Sequence, residues 1–395
     1  MLRFLTAGES HGKALTVIIE GMPAGLPLSE DFIAVDLRRR QGGYGRGRRQ
    51  KIEQDRAEIM SGVRHGKTLG SPIALSIQNR DWVNWTEQMS IDPIESEIQK
   101  VTRLRPGHAD LAGIVKYDFD DVRNVLERAS ARETAARVAV GAVCKRLLEE
   151  LGMEFRSHTV QIGDVDALVP PEIDWDAIEE SPVRCADAAG AEKMVAAIDE
   201  ARNAGDTLGG VVEGRVLRVP MGLGSHVHWD RKIDGRLAQA LMSIHSVKGV
   251  EIGAGFAATR TTGSKIHDVI LPLSQWRPDK PWARATNNAG GTEGGITDGQ
   301  DIVVRIALKP IATLPRALPS ADLMTGEEIP AHYERSDICV VPAAGIIVEA
   351  MCAIVLATAA LEKFGGDSLG EVLRNWRTFE ATIGPRALRD VGSKG

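Results

Sequence analysis

Cysteine is scarce: Cys144, Cys185, Cys339 and Cys352 are the only four in 395 residues. No two of them form a C-x-x-C pair, which removes zinc-ribbon and thiol-exchange motifs. A chain of this length needs no disulfide for stability, so a reducing, cytoplasmic compartment is expected. Aromatic residues make up 4% of the chain, leaving few platforms on which bases could stack. Positive charge is not in excess, since the net charge is −6. A dedicated nucleic-acid binder is basic overall or along a whole face. The opening MLRFLTAGESHG reaches polar residues within its first six positions, too short an apolar stretch for a signal peptide. One long apolar run stands out, ICVVPAAGIIVEAMCAIVLATAAL at 338–361, with Glu349 as its single charge. Alanine and glycine dominate it, neither end carries Trp or Tyr, and Glu349 would sit mid-bilayer. A buried central helix is therefore expected there.

Arginine and glycine, by contrast, are concentrated. The stretch RRRQGGYGRGRRQ at 38–50 holds six arginines and four glycines in thirteen positions. A second glycine-rich segment, RATNNAGGTEGGITDGQ, covers 284–300. Both are expected to be mobile loops, near 38–55 and 284–300, because neither has a hydrophobic anchor of its own. β-branched runs bounded by Gly or Pro predict strands at 15–21, 58–63, 72–78, 207–220, 267–273 and 301–310. A short first strand is expected just before Gly8. Helical spacing predicts helices at 29–40, 122–127, 131–151, 190–204, 230–243, 342–363 and 367–377. The elements do not alternate strand–helix–strand, which favours an α+β layering over a doubly wound parallel sheet. Residues 127–152 and 334–366 both open on Glu-Arg with a nearby Ser, run through an Ala/Val-rich helix and close on glycine. Two related halves are inferred, with their Arg-Ser corners around one centre. A single domain over 1–383 and a frayed tail at 384–395 are expected.

Several motifs are imitations. GESHG at 8–12 matches a hydrolase elbow, but no earlier loop exists to supply the oxyanion hole. What remains is a Ser10–His11 pair in a glycine turn. GVRHGKT at 62–68 has three residues between its glycines where a P-loop needs four. The Rossmann fingerprint is missing from 38–50, where Arg48 or Gln50 takes the required glycine position. His226 and His228 have no acidic or cysteine neighbour at ligand spacing, so no metal site is expected.

Other stretches carry usable chemistry. LRPGHAD at 104–110 puts Arg105 and His108 in a Pro-Gly turn, where both are expected to be exposed or to meet a ligand. ERASARET at 127–134 reads as a helix start with Ser130 and Glu133 as a capping box. Arg128 and Arg132 flank that start, where the helix dipole already repels cations, so an anionic ligand is expected there. KPIATLPRA at 309–317 adds Lys309, and ERSD at 334–337 adds Arg335 and Asp337. Arginines 40, 46, 105, 128, 132 and 335 thus gather with Lys309, His11 and His108. So many cations suit a polyanionic small substrate together with a phosphorylated cofactor.

TAGESHGKAL, RRRQGGYGRGRR, SGVRHGKTLGSPIAL, RPGHADLAG, ERASARETAARVA, GDTLGGVVE, VKGVEIGAGF, GGITDGQ, ALKPIAT and ERSDICVVPAAGIIVE together resemble the chorismate synthase family over nearly the whole chain. The resemblance implies a layered α+β sandwich, with long central helices between two antiparallel sheets and internal pseudosymmetry. It implies 1,4-elimination of phosphate from 5-enolpyruvylshikimate 3-phosphate to give chorismate, with reduced FMN required and NADPH as a candidate reductant. By the resemblance, His11, His108 and Asp337 are catalytic: His11 serves the leaving phosphate, His108 the flavin near N1, and Asp337 the C6 proton. Arg40, Arg46, Arg105, Arg132 and Arg335 clamp substrate. Cofactor contacts fall at Arg40, Arg46, Arg128, Ala129, Ser130, His245, Ser246, Gly294, Lys309, Pro310, Ile311, Ala312, Thr313 and Arg335. A cytoplasmic homotetramer is implied, with no nucleic-acid or membrane partner. Two positions depart from the family pattern: His245–Ser246 stands where Asn or Gln followed by Ala is common, and Ala312 where serine is common.

Overall fold

The computed structural model describes residues 2–47, 54–95, 97–276, 282–334 and 336–385. Arg335, most of the expected tail (386–395) and part of the arginine loop (48–53) lie outside the described residues.

Among the described residues, the first half of the chain builds one four-stranded antiparallel sheet and four α-helices, the last of them the longest. Its strands are β1 (Arg3–Ala7), β2 (Ala14–Glu20), β3 (Ala57–Ser61) and β4 (Ile73–Gln78). They lie in the order β1-β2-β4-β3. Helix α1 (Glu30–Gln41) connects β2 to β3. After β4 come α2 (Asp110–Tyr117), α3 (Arg123–Ala129) and the long α4 (Thr134–Glu149).

The second half repeats the plan. Strands β5 (Glu154–Ile162), β6 (Gly210–Leu217), β7 (Val247–Ile252) and β8 (Ile302–Leu308) lie in the order β5-β6-β8-β7. A two-residue strand at Val165–Asp166 extends the β5 edge. Helices α5 (Trp175–Glu180) and α6 (Ala188–Asn203) interrupt β5 and β6, and α7 (Ile233–Met242) connects β6 to β7. The long α8 (Val341–Phe364) follows β8 as α4 follows β4, and α9 (Leu369–Glu380) closes the chain. Strand order, the crossing helix and the final long helix all correspond. The duplication inferred from 127–152 and 334–366 is thus a duplication of whole sheet-plus-helix units.

Helices α4 and α8 pack together between the two sheets. Their approach depends on small residues. A Cβ on Gly141 would stand 2.3 Å from Ala350 Cβ, and one on Gly345 would stand 2.6 Å from Ser157 Oγ. The apolar length of α8 would span a bilayer, but most of it is buried inside the protein. Glu349 is accommodated by partners: Lys145 Nζ at 2.6 Å, Arg39 Nη1 at 2.8 Å and Ser157 Oγ at 2.6 Å. Burial opposes its charge, yet Lys145 and Arg39 hold the carboxyl well below the ordinary range. The single charge that argued against a membrane helix is therefore an ion-pair centre joining α1, α4, α8 and β5.

Three expectations change. Residues 267–273 form no strand; Ile270 makes only an isolated bridge to Arg284, and Val269 and Ile270 are exposed. Asp268 accepts instead from the N–H groups of Asn288 and Ala289, both at 2.8 Å. Those bonds knit the 284–300 segment to its neighbours, and Asn287 adds a bond to the Asp301 carbonyl at 2.8 Å. Strands β5 and β7 were not anticipated, because EFRSHTVQI and VKGVEI mix charged residues into short runs that sheet partners stabilise.

Candidate active site

The functional residues collect where the β1–β2 turn, the C-terminus of α1, the 104–110 turn, the α3–α4 corner and the ends of β7 and β8 meet. The β1–β2 turn begins at Gly8, whose φ of +108° and 2.4 Å clearance to the Ala14 carbonyl exclude any side chain. Asn79 braces the turn, donating from Nδ2 to the carbonyls of Ser10 and Gly12, both at 2.9 Å. Ser10 meets Ser130 hydroxyl to hydroxyl at 3.1 Å. His11 is buried. Its Nδ1 lies 2.9 Å from Glu127 Oε1, and its backbone N–H donates to Glu127 Oε2 at 2.8 Å. A carboxylate only accepts, so Nδ1 carries the hydrogen.

The 104–110 turn differs from expectation. Arg105 is neither exposed nor waiting: it is buried, with Nε donating to Asp110 Oδ2 at 2.8 Å and Nη2 to Oδ1 at 2.9 Å. Asp110, fully buried, is the partner the sequence reading left out. His108 Nδ1 lies 2.5 Å from Asp110 Oδ1 and 3.0 Å from Arg105 Nη2. A guanidinium only donates, so the two contacts cannot both be hydrogen bonds to one N–H. The shorter one decides: Nδ1–H donates to Asp110. Burial raises the Asp110 pKa, but His108 and Arg105 more than reverse it, leaving the carboxyl well below its usual range. Lys309 Nζ donates to the Gly107 carbonyl at 2.7 Å, and Thr313 accepts from Arg105 Nη1 at 3.3 Å. The turn therefore rests on the 309–313 segment.

Among the described residues, Arg40, Arg46 and Arg132 pair with Asp55 and Asp337. Asp55 pairs with Arg40 at 3.4 Å and with Arg132, and Asp337 pairs with Arg46 at 2.9 Å. Asp337 also accepts from the Gly47 N–H at 2.6 Å. Arg40 donates further to Thr134 Oγ1 at 2.9 Å and to the Ala131 carbonyl at 3.0 Å. Burial first, and then Arg46 and Arg132, push the Arg40 pKa down to about 10 against the pull of Asp55. Three guanidinium groups crowded at this corner favour an anion. Nε of Arg46 is buried without a hydrogen bond.

The α3–α4 corner departs from a capping box. Ser130 accepts from the Arg132 N–H at 3.3 Å, but Glu133 turns to Thr6 Oγ1 at 2.9 Å and Arg137 Nε at 2.8 Å. A single 3-10 turn at Ala131–Glu133 precedes α4, which moves Glu133 off the capping position. Arg128 is spent on the carbonyls of Gly8 at 3.0 Å and Thr6 at 2.8 Å. Only Arg132, of the two flanking arginines, joins the cation cluster.

His245 and Ser246 stand at the head of β7, where the Ser246 carbonyl accepts from the Lys309 N–H at 2.9 Å. Ser246 has a left-handed φ of +67°. His245 lines a cavity of about 430 Å³ with Thr6, Arg128, Glu133 and Arg137. Its Nδ1 is buried without a hydrogen bond. Burial lowers its pKa to about 4, with Arg137, His108 and Arg40 adding to the shift and Glu133 opposing it. Gly294 is not brought to this cluster within one chain. It sits in a hairpin before β8, while Lys309 follows the end of β8, a strand roughly 20 Å long.

The sequence reading missed Asp55, Asn79, Trp85, Asp110 and Glu127. Asp110 and Glu127 lay inside quoted motifs and were left without roles. Asp55 and Trp85 gave no local signal.

Fold and side chains define an enzyme, with two carboxylate-held histidines and a cluster of arginines among its described residues. A family model described as chorismate synthase matches residues 2–361. A chorismate synthase of Symbiobacterium thermophilum is 56% identical, over 98% of this chain and 100% of its own length. One from Moorella thermoacetica is 59% identical, over 93% of this chain and 96% of its own. A crystal structure of chorismate synthase superposes with a TM-score of 0.77 at 47% identity, covering 97% of this chain and 98% of that one. The chain belongs to the chorismate synthase family, whose members are carbon–oxygen lyases acting on phosphates.

Proposed function

We propose that the cleft eliminates phosphate and the C6 hydrogen from 5-enolpyruvylshikimate 3-phosphate, giving chorismate, with reduced FMN bound beside the substrate. The observation that carries the reading is the clustering of Arg40, Arg46 and Arg132 around Asp55 and Asp337, with Arg40 pushed down to about 10. A substrate with one phosphate and two carboxylates would relieve that crowding.

The residues around 128–130, 245–246 and 309–313 fit a flavin. The His245 Nδ1, buried without a partner on a cavity wall, is the kind of atom a heterocycle's polar edge would satisfy. When bound there, reduced FMN would supply electron density that eases departure of the phosphate. His11 acts from its imidazolium form, giving the Nε2 proton to the leaving phosphate and keeping the Nδ1 hydrogen on Glu127. With its Nδ1 fixed by Asp110, His108 would have Nε2 available to the flavin. Asp337 assists departure of the C6 proton while holding Arg46 over the ligand. A cytoplasmic homotetramer with NADPH as reductant belongs to the same reading.

The test is anaerobic phosphate release with and without reduced FMN. Release only with the reduced flavin is expected. Folded protein that releases no phosphate with it would overturn the proposal.

A further inference from the structure

Trp85 lies outside every motif considered above, yet its ring stacks on His11 with centroids 3.9 Å apart and planes 28° from parallel. The indole is anchored: Nε1 donates to Asp81 Oδ2 at 3.0 Å, and the Trp85 N–H donates to the Trp82 carbonyl at 2.8 Å. Arg123 lies over the same ring at 5.0 Å and donates to Glu127 Oε1 at 2.9 Å. Its other terminal nitrogen is 3.7 Å from Glu334. Glu127 and Glu334 are the glutamates that open the two related Glu-Arg corners. Arg123 thus bridges both corners and the Trp85 segment.

We propose that Glu127 and Trp85 are positioning residues that clamp His11, Glu127 fixing the Nδ1–H tautomer and Trp85 the plane of the ring. Arg123 locks the two together. A ring free to turn about χ2 presents Nε2 in many directions, and misplacing a catalytic group by about 1 Å costs on the order of 100-fold in rate. In a histidine–carboxylate pair the carboxylate selects the tautomer, and an amide in its place selects the wrong one. The inference rests on the proposed role of His11 as proton donor.

The test uses the full chain with Glu127→Gln, Trp85→Phe and Trp85→Ala. Kinetics of phosphate release are measured with reduced FMN. Separately, ¹⁵N-histidine NMR without cofactor or substrate reads the His11 tautomer, its signal assigned with His11→Asn. Wild type should show hydrogen on Nδ1. Glu127→Gln should lose that signature and drop kcat by about 100-fold or more, with KM within about 3-fold. Trp85→Ala should drop kcat by about 10-fold, and Trp85→Phe should restore most of it. A folded Glu127→Gln that keeps the Nδ1–H signature overturns the clamp. So does Trp85→Ala with wild-type kcat, or effects confined to KM. If no protein releases phosphate, the functional reading fails, while the tautomer signature still decides the clamp.

Discussion

His11 and His108 are each held through Nδ1 by a buried carboxylate, but the two devices are built differently. Asp110 stands two residues from His108 in one turn, and it grips Arg105 at the same time. Glu127 lies 116 residues from His11, and the ring is also covered by Trp85. The first pair is prepared by local geometry and rigid as a unit. The second exists only once the β1–β2 turn meets the α3–α4 corner. A third histidine sharpens the contrast. His245 has no carboxylate on Nδ1, and burial takes its pKa down to about 4.

The largest expected effect breaks the shared role of the first two. His11→Asn and His108→Asn should each slow phosphate release by about 10²–10⁴-fold if each transfers a proton. Steady-state assays with reduced FMN at saturating substrate measure this, and a near-wild-type rate in either removes that residue from the chemistry.

Next comes the local device. Asp110→Ala strands buried Arg105 and should cost about 4 kcal/mol of stability, read by urea unfolding. A loss below about 1 kcal/mol would mean that Arg105 finds water or Thr313 instead. The sign of its pH dependence follows from the depressed Asp110 pKa. The carboxylate contributes stability above the ordinary carboxyl range and loses it as pH falls through the folded value.

The third contrast is read from pH alone. His245 is buried neutral, so the unfolded chain binds its proton first as pH falls. Stability should decline by up to about 3 kcal/mol between roughly pH 6.5 and 4, and be unaffected by this group above that window. His245→Asn should flatten that part of the profile, as measured by chemical unfolding across the window. An unchanged profile would show that His245 accepts a proton in place. The smallest effect is next door. Ser246→Gly should stabilise by about 1 kcal/mol at most by removing the left-handed cost, detectable as a rise in Tm.

Much of this was legible without coordinates. All seven helices anticipated from spacing are present, and so are five of the six anticipated strands. The sixth, at 267–273, failed because a β-branched run does not specify a partner, and Asp268 serves a turn instead. The structure places Arg40, Arg46, Arg132 and Asp337 in one cluster, and sets Arg105, His108 and Lys309 in the 104–110 turn and the segment under it. Arg128 does not join the cluster, because its guanidinium is spent on carbonyls one strand away. The counter-charges were harder to read than the cations. An isolated aspartate such as Asp55 looks like any surface acid until folding buries it between Arg40 and Arg132.

The sequence by itself determined most of the longer elements, the arginine-rich turns, the related halves and the family, because these rest on local spacing and on ordered motifs. It also contained the whole Arg105–His108–Asp110 unit, whose members are close enough to meet without help. Only the tertiary structure decided which carboxylate each distant cation would keep. It put Glu127 on His11, Asp55 between two arginines, and Glu349 against Lys145 and Arg39 inside the apolar run of α8. Ion pairing inside a protein depends on distance in space and on exclusion of water, and neither is a property of position along the chain.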